Sequence, residues 1–291
     1  MLTSRSASTL AGKQLFFKCE NLQRGGAFKI RGASNLILSL PPEAIRKGVV
    51  AFSSGNHAQA TAIAAKYVGA KATIVMPLDA PRCKMEPTRA LGADIVTFDR
   101  FRDDREAIAQ RILAETGATL VPPYDHPLII AGQGTAALEL LEDHPELDAL
   151  VVCIGGGGLI SGSATIAKSI NPNIRIFGVE PELANDTWQS FRKGERVEIP
   201  PPETIADGLR SPSPGKLTFP IIQRLVEDIL LVTEDEIRQA MRFCFTRMKT
   251  VVEPSGAVSI AAALFHKLPK EVKRVGVIVS GGNMDRETLC A

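Results

Sequence analysis

Short, largely aliphatic runs that alternate with helical patterns constrain this chain more than any other feature. Residues 48–52, 72–76, 93–97, 150–154, 174–180 and 275–279 are near-continuous apolar stretches of strand length. That is the pattern of strands covered on both faces. Between several of them lie alanine-rich stretches such as 58–67, 105–115 and 135–142, each long enough to cross over a sheet. The alternation predicts an α/β fold built on open, mainly parallel sheets with flanking helices.

A chain of 291 residues holds a substantial core without covalent staples. Its 45% hydrophobic and 23% charged residues are the usual globular balance. The formal net charge of +2 gives no reason to expect nucleic acid or a membrane surface, so small molecules are the expected partners. Cys19, Cys83, Cys153, Cys244 and Cys290 are scattered, with no C-x-x-C pair and no disulfide framework. A reducing, cytoplasmic compartment is therefore expected. No apolar stretch approaches the roughly 18–20 residues of a membrane span, and the N-terminus lacks the apolar core of a secretory signal. Residues 195–217, rich in proline, read as a surface connection or lid.

Ligands in open α/β sheets bind beyond the carboxyl ends of strands, and three such junctions carry unusual loops. After 150–154 come Gly155, Gly156, Gly157 and Gly158, then a helical pattern from Leu159 to Ala167. Such glycines let amides converge on a phosphate at a helix N-terminus; a tightly packed turn is the plain alternative. A nucleotide-binding fold competes, because the next run ends in Glu180, where a ribose-binding carboxylate would sit. However, Ile160 lies where G-x-G-x-x-G needs glycine, and no G-x-x-x-x-G-K-[ST] occurs. The second junction, Ser53-Ser54-Gly55-Asn56-His57, reads by itself as a helix cap, and His57 is assigned no acid–base role. The third segment, 25–33, sets Lys29 among small residues beside Phe28. Desolvation there lowers the ammonium pKa toward the neutral amine that a Schiff base requires, whereas a surface lysine is the default.

Together, GGAFKIRGA at 25–33, SSGNHAQ at 53–59, AGQGT at 131–135, GGGG at 155–158, TIADGL at 204–209, VEPSGA at 252–257 and SGGN at 280–283 resemble the serine/threonine dehydratase and serine racemase family. This is fold type II of the pyridoxal-phosphate enzymes, and it includes 3-hydroxyaspartate ammonia-lyases. The resemblance covers nearly the whole chain, beginning near Leu2-Thr3-Ser4 without the N-terminal helix that usually precedes that point. It implies a tryptophan-synthase-β-like architecture: a small mobile substrate domain, 48–127, inserted in a larger cofactor-binding domain of 1–47 and 128–291. It further implies that Lys29 carries pyridoxal 5'-phosphate, Phe28 packs near its ring, Asn56 binds the ring 3' oxygen, Gly155 to Gly158 hold the phosphate and Ser280 faces the pyridine nitrogen. Ser53, Ser54 and Asn56 would cradle the substrate carboxylate, with Glu253 shaping hydrogen bonds near the ring. Glu180, the Ala184 carbonyl and Asp186 would hold Mg²⁺, Ca²⁺ or Mn²⁺, although alone they read as a solvated acidic turn. A homodimer and a nucleotide effector also accord with the family.

The activity so implied is β-elimination from L-serine, L-threonine or 3-hydroxyaspartate to a 2-oxo acid and ammonia. Its closest rival is serine racemisation, which needs a second proton carrier on the opposite face. Ser54 fits that role: family dehydratases commonly have S-A-G-N, racemase-like members S-S-G-N, although hydroxyaspartate dehydratases share the second form. For the extra carboxylate of hydroxyaspartate, Arg105 and His126 are the candidate cations. A non-catalytic nucleotide-binding or regulatory module is the reading of a different class.

Overall fold

A computed structural model describes residues 1–53, 55–80, 82–99 and 102–290. Among them the strands are, in chain order, β1 Leu2–Thr3, β2 Gln14–Cys19, β3 Val49–Phe52, β4 Ala72–Pro77, β5 Asp94–Phe98, β6 Thr119–Leu120, β7 Ala149–Cys153, β8 Arg175–Pro181, β9 Asp228–Val232 and β10 Arg274–Val279. They form a six-stranded sheet of order β1-β2-β10-β7-β8-β9 and a four-stranded sheet of order β5-β4-β3-β6. Every pairing is parallel except the β1–β2 pair. All six apolar runs are strands, and the alanine-rich stretches lie in the helices Asn56–Val68, Arg105–Thr116 and Pro127–Asp143.

Burial explains the aliphatic pattern of the strands at the centre of the larger sheet. Every residue of β7 is buried, as are the last six of β8, because helices cover both faces of the sheet's centre. β2 instead alternates: Leu15 and Phe17 are buried, while Gln14 is exposed and Lys18 half-buried. β9 is an edge strand and mixes buried with half-buried positions. β2 is broken by Gln14 and Lys18, and β9 offers only the short apolar run Ile229 to Val232.

The core follows the sheets. One cluster surrounds the six-stranded sheet and takes in the helix Pro254–Leu264, buried along its whole length. A second packs the helix Asn56–Val68 on β3 and β4, and includes Ile30, Ala33, Leu36 and Ile37 from the helix Lys29–Leu38 and Ile129 from Pro127–Asp143. The glycines of A-G-Q-G-T serve close helix packing: a Cβ on Gly134 would strike the backbone of Gly162, and one on Gly132 the carbonyl of Arg31. Here two helices meet backbone to backbone, which no side chain permits. No helix among the described residues is long and apolar enough to cross a membrane.

Candidate active site

Strand order builds the site. β2, β10, β7 and β8 are parallel neighbours, so the loops that follow them open on one edge of the sheet. These loops carry the approach to Lys29, the Ser280 segment, the glycine run and the Glu180 segment. The first two are stitched together through the backbone: Ala27 and Gly281 form an antiparallel bridge, the Phe28 N–H donates to the Ser280 carbonyl at 3.0 Å, and the Gly282 N–H to the Gly26 carbonyl at 2.9 Å. Lys29 is the first residue of its helix. Its Nζ donates to the Pro123 carbonyl at 2.7 Å and lies 5.0 Å from the centre of the Phe28 ring.

Burial pulls the Lys29 ammonium down to about 8, against the opposing influence of Cys153 and Glu253. Desolvation disfavours the charged form, so the neutral nucleophile becomes available near physiological pH. The rate at which the protein captures an aldehyde should therefore rise with pH through a midpoint near 8. Rapid-mixing absorbance of pyridoxal phosphate with cofactor-free protein measures it; a rate that climbs without inflection past pH 9.5 or so would mean a solvated lysine.

The glycine run fits an anion. Among the described residues, none of the amides of Gly155, Gly156, Gly157 and Gly158 donates to a protein acceptor. They precede or open the helix Gly158–Ile170, whose dipole favours negative charge. Gly157 has φ of 91°, in the left-handed region. A Cβ on Gly156 would enter the Tyr124 ring, and one on Gly158 would meet Gln133 Oε1. The Thr218 hydroxyl and the Gly215 N–H both donate to the Gly156 carbonyl, at 2.7 and 3.2 Å, which turns that carbonyl away from the cradle. Residues 123–124 bridge lysine and cradle, Pro123 receiving the amine while Tyr124 lies on the glycines.

Ser280 is buried at the end of β10. Beside it lies Cys153, which closes β7; burial pushes its thiol up despite hydrogen bonding with Ser280. Asn56 opens the helix after β3, and its Nδ2 donates to Glu253 Oε1 at 2.6 Å. The Ser53 hydroxyl accepts from the Gly55 N–H at 3.2 Å. Ser54 lies outside the described residues.

A lysine made nucleophilic by burial, a hydroxyl at the adjacent strand end and a four-glycine anion cradle are what pyridoxal phosphate needs from a protein. The family model for pyridoxal-phosphate dependent enzymes matches residues 1–281. The chain belongs to this family. It is 50% identical to a serine racemase of Schizosaccharomyces pombe over 287 residues, 99% of this chain and 89% of the relative. It is 53% identical to an L-threo-3-hydroxyaspartate ammonia-lyase of Saccharomyces cerevisiae over 285 residues, 98% and 87% of the two chains. The solved structure of maize serine racemase superposes with a TM-score of 0.96 at 48% identity, covering 99% of this chain and 89% of that one.

Two further features bear on this pyridoxal-phosphate dependent enzyme. His57 is buried and its Nε2 meets the Val121 carbonyl at 2.8 Å. Burial, and next the Lys29 charge, pull it down to about 3, so it stays neutral and structural. His126 caps the helix Pro127–Asp143, its Nδ1 accepting from the Leu128 N–H at 3.2 Å; the Arg105 side chain lies outside those described.

At the end of β8, Glu180 and Asp186 are both fully buried. Burial, and then the charge of Asp186, raise Glu180 well above the carboxylate range, and burial raises Asp186 to about 7. Glu180 accepts from the Thr187 and Trp188 amides at 3.2 and 2.7 Å, while Asp186 Oδ1 is buried without a hydrogen-bond partner among the described residues. Ala184 is buried in the turn between them.

The sequence motifs do not disclose Pro123, Tyr124, Gln133 or Cys153 as site residues. The first three precede or lie in A-G-Q-G-T, and only contact with Lys29 and the glycines gives them meaning.

Proposed function

We propose that the protein uses pyridoxal phosphate to eliminate the β-hydroxyl of a small amino acid, L-serine, L-threonine or 3-hydroxyaspartate, yielding a 2-oxo acid and ammonia. The observation that carries this reading is the Lys29 amine, buried, shifted toward neutrality and carried on a segment whose backbone is hydrogen-bonded to the Ser280 segment through Gly26 and Phe28. When bound, the cofactor supplies the electron sink for charge released at the substrate α-carbon. Lys29 Nζ takes the α-proton. Ser280 would offer the ring nitrogen a hydroxyl rather than a carboxylate, a weaker pull on charge that would favour expulsion of a β-hydroxyl over prolonged charge storage. Gly155 to Gly158 would hold the phosphate, Asn56 the ring oxygen, and Phe28 would flank the ring. Ser53, Ser54 and Asn56 receive the substrate carboxylate near a helix N-terminus. The unit 48–127 closes over the bound substrate and excludes water.

Serine racemisation is the second reading. Relatives named for racemisation and for ammonia elimination stand at nearly equal identity, 50% and 53%, and Ser54 is the hydroxyl available as opposite-face acid or base. Incubation with serine, threonine and both forms of 3-hydroxyaspartate, scored for 2-oxo acid and for product chirality, separates the two. Ser54→Ala is expected to suppress D-serine formation at least tenfold while sparing elimination from L-serine, since proton delivery by a placed side chain contributes about 10²–10⁴-fold. Equal loss of both products would remove Ser54 from the opposite face.

We also propose that Glu180, the Ala184 carbonyl and Asp186 hold a divalent cation, supported by two adjacent buried acids with no cationic side chain paired to them among the described residues. Both pKa values are raised in the folded chain, so without metal their stabilising effect is full in acid and fades as pH rises through about 7. Mg²⁺, Ca²⁺ or Mn²⁺ should therefore raise Tm more at pH 8 than at pH 5. At 100 times its Kd the gain is about 2.7 kcal/mol. A Tm indifferent to all three ions at pH 8 would refute the site.

A further inference from the structure

The S-G-G-N motif ends on Asn283, which has no part in the reading above. Its Nδ2 donates to the Gly25 carbonyl at 2.7 Å and to Asn56 Oδ1 at 3.0 Å. Asn56 in turn donates from Nδ2 to Glu253 Oε1 at 2.6 Å. Asparagine can turn its amide over, but this circuit permits one orientation. The Gly25 carbonyl only accepts, so Asn283 must present its NH₂ there. The same NH₂ then needs an acceptor on Asn56, which leaves the Asn56 NH₂ toward Glu253. Both hydrogens of Asn283 are used, and Asn56 retains one N–H beyond those donated within the circuit. Two glycines make room: a Cβ on Gly26 would overlap the Asn283 amide, and one on Gly281 would overlap Glu253 Oε1. Asn56 opens a helix of the four-stranded sheet, whereas Glu253 and Asn283 lie on loops of the six-stranded one.

We infer that Glu253 and Asn283 are positioning residues that lock the Asn56 amide with its remaining N–H available to the cofactor ring oxygen. This rests on the cofactor reading above. A donor held at that oxygen favours its ionised form, which absorbs at roughly 410–420 nm when lysine holds the cofactor. Without the lock, Asn56 offers its carbonyl oxygen as often as its N–H, and the oxygen is better served by keeping its own proton.

The test compares Asn283→Asp, Asn283→Ala and Glu253→Gln with the parent, loaded with pyridoxal phosphate. Asn283→Asp sets an acceptor against two acceptors. It should weaken cofactor retention about tenfold by equilibrium dialysis, the scale of one misplaced hydrogen bond, and shift absorbance from the long-wavelength band toward the near ultraviolet. Asn283→Ala removes the donor without adding repulsion and should move both readings the same way, about threefold in retention. Glu253→Gln still offers an oxygen to the Asn56 NH₂ and should keep the parent spectrum. Melting curves of the cofactor-free variants establish that each is folded. Both Asn283 variants keeping the parent band and affinity would overturn the lock while leaving the cofactor reading intact. So would Glu253→Gln shifting the band as far as Asn283→Asp. A parent that forms no such band sinks the cofactor reading, and the lock with it.

Discussion

Lys29→Ala is expected to lower turnover by roughly four orders of magnitude or more, the combined scale of a placed proton carrier and a covalent anchor. The folded chain should survive the change. The truncated side chain takes a costly buried ammonium with it, and the Pro123 carbonyl it served keeps a second donor, Gln133 Nε2 at 3.2 Å. The variant should therefore melt within a few degrees of the parent while the long-wavelength cofactor band disappears. Lys29→Arg sharpens the point. It preserves the positive charge, but guanidinium does not deprotonate in proteins, so it supplies no neutral nitrogen and should be as inactive as alanine. Turnover by Lys29→Arg within tenfold of the parent would show that charge, and not a nucleophilic amine, is what this position contributes.

The second large effect concerns Arg31, two residues further along the same helix. Its guanidinium donates to Glu20 from Nε and Nη2 at 2.7 and 2.9 Å, to Glu139 from Nη1 and Nη2 at 2.7 and 2.6 Å, and to the Thr135 hydroxyl at 3.0 Å. Lys18 also donates to Glu139. With these contacts the end of β2, the lysine-bearing helix and the helix Pro127–Asp143 share one ionic centre, which sets the rotation of the turn that presents Lys29. The side chain of Glu20 is only 2% exposed. Arg31→Met would leave that acid buried without its partner, at a cost of about 3–5 kcal/mol, on the order of 10 °C in Tm for a chain of this size. Glu20→Gln added to Arg31→Met should recover part of the loss, because it removes the stranded charge. Arg31→Lys cannot fork between two carboxylates and should fall between parent and methionine variant. A drop of under two degrees or so in Arg31→Met would mean the network is solvated and worth little.

How far the sequence reaches depends on the range of the physics. The central strands were legible because helices cover both their faces, so most of their positions are apolar. β2 and β9 were not: β2 alternates, and the apolar run of β9 is only Ile229 to Val232, bounded by polar residues, whereas β5 was legible although it too lies at an edge. The glycine run, the lysine segment and the S-S-G-N turn were legible for a similar reason: each meets a local backbone demand, an amide cradle, a close approach or a helix start. Their joint meaning came from resemblance, not from any one of them.

What no local rule supplies is adjacency. β10 is the last strand in the chain but lies between β2 and β7, and this alone sets Ser280 between the Lys29 loop and the glycine run. Asn56 and Asn283 meet across 227 positions of sequence, and Lys29 reaches Pro123 across 94. By itself the sequence determined the α/β class, the strands of the sheet centres and the chemical character of each loop, because burial and backbone conformation act over a few residues. Only the tertiary structure decided which loops share an edge, which carbonyl receives the Lys29 amine and which side chains hydrogen-bond Asn56. Those depend on strand order and close packing between segments that the chain keeps far apart.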